Sequence, residues 1–87
     1  MNSAPANRIK REAARIVLAR LGEDMIEIVK HHLKRSYDIS FDPKDDSTFS
    51  LDQLHFGLSV MLGEGHASNL LRQINDEIKM LSRSQVL

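Results

Sequence analysis

The 87-residue chain carries twelve Lys/Arg against twelve Asp/Glu, 41% hydrophobic and 28% charged residues, and no cysteine. A chain this short makes one small domain whose core is close to the minimum that folds alone. The missing cysteines exclude a disulfide framework, a thiolate zinc site and a cysteine nucleophile, and no apolar run approaches the ~20 residues of a membrane span. Composition therefore points to a soluble, cytoplasmic domain with no membrane partner. The zero net charge hides an asymmetry: residues 1–40 hold eight Lys/Arg against five Asp/Glu, and residues 41–87 hold four against seven. That is too even a balance for a strongly basic nucleic-acid footprint.

Residues 1–6 lack the apolar core of a secretory signal and read as a disordered tail. The spacing of Ile9, Ala13, Ile16, Val17 and Leu21 predicts a first helix from about Asn7, which can cap it, to Leu21. Gly22 stands where a helix C-cap takes a left-handed residue, and Asp24 can cap a second helix running to Arg35 with Met25, Ile28, Val29 and Leu33 inward. Asp42-Pro43-Lys44-Asp45-Asp46-Ser47 is loop chemistry. Tyr37, Ile39, Phe41 and Phe49 around it are too apolar for a free linker, so they are expected to fold back as a lid over one end of the core.

Ser50 and Gln53 form a capping box that opens a third helix, with Leu51, Leu54, Leu58, Met61 and Leu62 as its stripe. Gly63-Glu64-Gly65 ends it. A last helix from about His66 to Ser82 carries Ala67, Leu70, Leu71, Ile74, Ile78 and Leu81 on one face, and residues 83–87 fray. That stripe is assigned to the chain's own bundle; its heptad-like spacing also suits packing on a copy in a homodimer. Leu21-Gly22-Glu23 and Leu62-Gly63-Glu64 each separate two amphipathic runs. The expected fold is all-α, a compact four-helix domain over residues 7–82 built from two pseudo-repeated helical hairpins.

The order of these signals, with Leu21-Gly22-Glu23, His32-Leu33, Tyr37, Ile39, then Leu62-Gly63-Glu64-Gly65-His66-Ala67 and Leu70-Leu71-Ile74, resembles the Nitrosopumilus output domain family. That family occurs in archaea, often attached to receiver or other sensory modules. The likeness spans about residues 15–82 and rests on short, mostly structural motifs. It implies a helical signalling or protein-interaction module with no catalytic residue.

Several groups of residues invite a chemical reading. Lys30-His31-His32-Leu33-Lys34-Arg35-Ser36 resembles the His-x-Leu-Lys-x-Ser core of histidine phosphotransfer domains, which implies His31 as phosphoacceptor and Lys34 as its phosphate partner. The plainer reading is of boundary histidines near a helix C-terminus, where positive charge is favoured. Arg8, Arg11 and Arg15, with Lys10 and Arg20, form the best basic surface for an acidic partner or nucleic acid, but Glu12, Glu23, Asp24 and Glu27 interrupt it, so nucleic acid is not favoured. Glu64 and His66 can be read as an acid/base pair at a turn, but the start of the last helix explains them better. The four histidines and the Asp42, Asp45, Asp46, Asp52 group lack the spacing of a zinc or EF-hand site, so no metal and no cofactor is expected. Phe56 lies off the third helix's stripe and reads as an exposed anchor for a protein partner, with packing on the lid as its alternative. The function expected is a non-enzymatic protein-interaction or signalling module, acting alone or as a homodimer.

Overall fold

The computed structural model describes the backbone of residues 3–41 and 49–85, and side chains over 8–41 and 49–83. Four helices follow in order: α1 (Ser3–Ala19), α2 (Glu23–Tyr37), α3 (Leu51–Leu62) and α4 (Glu64–Gln85). Among the described residues there is no strand, so the domain is all-α. α1 begins at Ser3 and not near Asn7, which places Asn7 inside the helix and makes the expected tail helical from Ser3 onward. Pro5 permits this, because the first N–H groups of a helix have no intrahelical partner to lose. α4 likewise extends to Gln85, past the expected end at Ser82.

Packing radiates from α4. Its stripe of Ala67, Leu70, Leu71 and Ile74 is buried, with Ile78 and Leu81 packed against the same core. α1 and α3 both lie against it. The stripe thus faces its own bundle and is not available to a copy of the chain. α1 presents Ala13, Ala14, Val17 and Leu18, all fully buried, with Leu21 partly so, whereas Ile16 is only half-buried. Its buried face is rotated from the expected one because two adjacent alanines, lacking anything beyond Cβ, suit a close helix approach.

The two Leu-Gly-Glu turns share a backbone conformation. Gly22 has φ 99° and ψ 157°, and Gly63 has φ 94° and ψ 154°. This region is open essentially to glycine alone. Neither glycine is in the left-handed helical region: Gly63 closes α3 through its N–H, which donates to Ser59 C=O (2.9 Å), and both open the following helix, Gly22 C=O accepting from Ile26 N–H (2.9 Å) and Gly63 C=O from Ala67 N–H (3.0 Å). Asp24 is accordingly not the cap of α2, which starts at Glu23 without a side-chain cap bond. The helices around the turns differ in packing, however. α3 and α4 pack extensively as a hairpin, while α1 and α2 touch little.

α2 is instead held by α3. A Cβ at Gly57 would sit 2.6 Å from Leu33 Cδ2 and 3.2 Å from the Tyr37 ring, so the missing side chain sets how closely the two helices approach. The buried line on α2 is Val29 and Leu33, flanked by half-buried Ile26 and Tyr37. Met25 and Ile28, expected inside, are 39% and 56% exposed, because the helix is covered along one narrow line only.

The helix ends at Asp38, in the left-handed conformation at φ 56° that Asp tolerates better than most residues. Asp38 N–H donates to Lys34 C=O and Ile39 N–H to Leu33 C=O, both at 3.1 Å, which turns the chain back over the core. Ile39, Phe41 and Phe49 are buried there, Phe41 and Phe49 edge-to-face at 5.6 Å, and Lys10 Nζ lies 5.4 Å over the Phe49 ring. The expected lid is thus formed by these three, with Tyr37 half-buried beside it. The Asp42–Ser47 loop lies outside the described residues. Ser50 Oγ accepts from Gln53 N–H at 3.0 Å and caps α3.

Backbone conformation, not space, restricts Gly22 and Gly63, since a Cβ at either would meet nothing within 4 Å. Gly22→Ala and Gly63→Ala are each expected to destabilise the domain by about 1–3 kcal/mol, and Gly65→Ala, which faces open space at ordinary φ, to be neutral or stabilising. Urea unfolding followed by circular dichroism checks all three; an unchanged midpoint in Gly63→Ala contradicts this account of the turn.

Candidate functional site

α2 has two unlike flanks. On the α1 side its turns carry Glu27, Lys30, His31 and Lys34, and with Arg15, Ile39, Ser40 and Phe41 they line an open cleft of about 560 Å³. The helix period explains the gathering, since positions 27, 30, 31 and 34 share one face. The structure therefore brings His31 and Lys34, the phosphoacceptor pair expected from the sequence, beside Arg15 of α1. Its field is nearly balanced. Lys30 lies 3.8 Å from Glu27, Lys34 lies 3.3 Å from Asp38, and Arg15 bonds the Glu12 carboxylate through two nitrogens. These are exposed i,i+3 and i,i+4 pairs, each worth little for stability, but they place a carboxylate beside each cation of the cleft.

The other basic residues do not join that cleft into a surface. Arg8 is exposed in a separate groove with Ile9, Glu12 and Leu81. Arg11 is 8% exposed, which corrects its assignment to a partner-binding face: the neighbouring core positions Ala14 and Val17 carry it inward. Arg20 is engaged with α4, donating to Gln73 Oε1 (2.9 Å) and Glu77 Oε2 (3.1 Å). The arginines of this basic run are thus divided among four environments, Arg8 in its groove, Arg11 buried, Arg15 in the cleft and Arg20 on α4.

Glu64 has a partner that its sequence neighbours did not suggest. Ser68 Oγ donates to Glu64 Oε2 (2.9 Å), and His55 Nε2 lies 3.0 Å from that oxygen and 3.4 Å from Ser68 Oγ. His66 is exposed. A nucleophile, base and acid in relay use both imidazole nitrogens, one toward the hydroxyl and the other toward the carboxylate. Here both neighbours meet the same nitrogen, so the cluster clasps α3 to the first turn of α4, where a carboxylate is also favoured by the helix dipole. Among the described residues no three His, Asp or Glu converge as metal ligands, and no helix is long and apolar enough to cross a membrane.

The α3 flank of α2 is apolar. Gly57 marks the α2-facing side of α3, and Phe56 and Val60 stand just outside that line, 61% and 59% exposed. Phe56 meets Tyr37 edge-on at 6.0 Å, and Tyr37 meets His32 at 5.7 Å, so three rings bridge the seam between the helices. Met25 and Ile28 are further exposed apolar side chains of α2. Phe56 is thus the exposed residue its off-stripe position predicts, while also packing on Tyr37. Val60 was not singled out by the sequence, although its spacing of four from Phe56 puts both on one face.

His32 Nε2 is buried beside these rings with no hydrogen-bond partner. An unsatisfied buried nitrogen of this kind costs about 1–3 kcal/mol. His32→Phe, which keeps a ring against Tyr37 and removes the nitrogen, is expected to stabilise the domain by about 1 kcal/mol; a lowered thermal midpoint contradicts the assignment.

With these features in place, no family model, no curated protein and no solved structure matches this chain.

Proposed function

We propose that this domain is a non-enzymatic protein-interaction module of a signalling system, cytoplasmic in setting, which binds through the α2–α3 seam. The observation that carries the reading is the exposure of Phe56, Val60, Ile28 and Met25 on two adjacent packed helices. Large apolar side chains left exposed on neighbouring helices of a small domain support an interaction surface. Phe56 also meets Tyr37 edge-on, and an exposed aromatic ring of this kind suits an anchor residue. The resemblance to the archaeal Nitrosopumilus output domains supports the signalling context.

One observation favours a second reading, histidine phosphotransfer: His31 is exposed and shares a cleft with Arg15, Lys30 and Lys34. Phosphoryl transfer from a receiver aspartyl phosphate would break its P–O bond, release the aspartate carboxylate and form a P–N bond at the imidazole, whose N–H proton passes to solvent, with the cations steadying the phosphate. The carboxylates of Glu12, Glu27 and Asp38 oppose an incoming phosphate, so the first reading is preferred. Division of the basic run leaves nucleic acid without a comparable surface.

Phe56→Ala combined with Val60→Ser is expected to keep the helical circular dichroism spectrum and to reduce capture of a cognate protein at least tenfold, whereas Arg8→Ala leaves capture unchanged. Capture that survives the double variant refutes the seam as the binding face. Incubation with phosphorylated receiver domains tests the second reading. Acid-labile label that is lost in His31→Gln establishes it, and absence of label from every cognate receiver eliminates it.

A further inference from the structure

We infer that the outer face of α2 is a self-association surface, on which a second copy of the chain packs antiparallel about a two-fold axis. Asp24, Ile28, His31 and Arg35 are all exposed and fall at spacings of four, three and four, so they form one straight line along the helix. A two-fold contact is isologous: whatever position one helix contributes meets its mirror position on the other. The line satisfies that condition. Asp24 and Arg35 are equidistant from its midpoint and opposite in charge, and Ile28 and His31 are equidistant inside them. Antiparallel pairing about the midpoint sets Asp24 of each copy against the partner's Arg35, and Ile28 against the partner's His31.

Two further features agree. Neither Asp24 nor Arg35 has a hydrogen bond or ion pair with another described residue, whereas Glu27 and Lys34 on the cleft side are paired within the chain. α2 is acidic in its first turn, at Glu23 and Asp24, and basic in its last, at Lys34 and Arg35. Antiparallel apposition opposes both these charges and the two helix dipoles favourably. Ile28 at the centre of the line is 56% exposed and supplies apolar surface that charged pairs alone would lack. This inference rests on the proposed interaction role, with a second copy of the chain as the occupant of the outer face of α2.

Sedimentation of the intact chain over a concentration series tests it. The wild type is expected to associate to a dimer, less so as salt is raised. Asp24→Arg and Arg35→Glu each create two like-charge contacts per dimer and are expected to weaken self-association about a hundredfold. An equimolar mixture of the two variants pairs a chain positive at both ends of the line with one negative at both ends, and is expected to restore the dimer. A wild type that stays monomeric at its highest soluble concentration overturns the inference, as do single variants that dimerise like the wild type or a mixture that remains monomeric. If the wild type is monomeric while the Phe56 and Val60 substitutions still abolish capture of another protein, the dimer fails and the interaction reading stands.

Discussion

Burial of the α4 stripe is the contact on which the other helices depend. Ala67, Leu70, Leu71 and Ile74 lie on a helix packed against both α1 and α3, so its apolar face is consumed within the domain. Arg20 reaching Gln73 and Glu77 fixes α1 along that helix, and the His55, Glu64 and Ser68 cluster fixes α3 at its first turn. In a domain this small there is little apolar surface to spare, and most of it goes to this three-helix unit.

α2 is what remains. It has no extensive contact with α1 and is held against α3 where Gly57 admits Leu33 and Tyr37. The Asp38 turn then anchors its C-terminal end by sending Ile39 and Phe41 into the core. A helix held along one narrow line has two free flanks and an outer face. One flank became a charge-balanced cleft, the other an aromatic seam, and the outer face a line of alternating character from Asp24 to Arg35. Both proposals for this domain use surface that exists because α2 is peripheral.

Much of this was legible in the residues. The α4 stripe, the Ser50 cap, the burial of Ile39, Phe41 and Phe49 and the exposure of Phe56 follow from periodicity and turn chemistry, which are local. Helix starts were less so: Ser3 and Glu23 begin helices for which Asn7 and Asp24 offer the better capping chemistry, because a tolerated proline and a glycine of positive φ set the starts instead. Met25, Ile28 and Arg11 depart from their expected places for one reason. An apolar or basic residue on a helix shows its angular position in the sequence, but not which angular sector a neighbouring helix will cover.

The amino-acid sequence by itself determined four helices, their approximate limits, the two glycine turns and the absence of a strongly basic footprint, since each depends on intrinsic conformational preference or on composition. Tertiary structure alone decided which helices became neighbours. It turned Arg11 inward, joined Arg15 to His31 and Lys34 across a cleft, paired Glu64 with His55 in place of His66, and left α2 exposed on three sides. The physical reason is that a covered face is the property of a pair of helices, settled by how closely their backbones approach, and the Gly57 contact that sets this distance is formed by residues from separate segments of the chain.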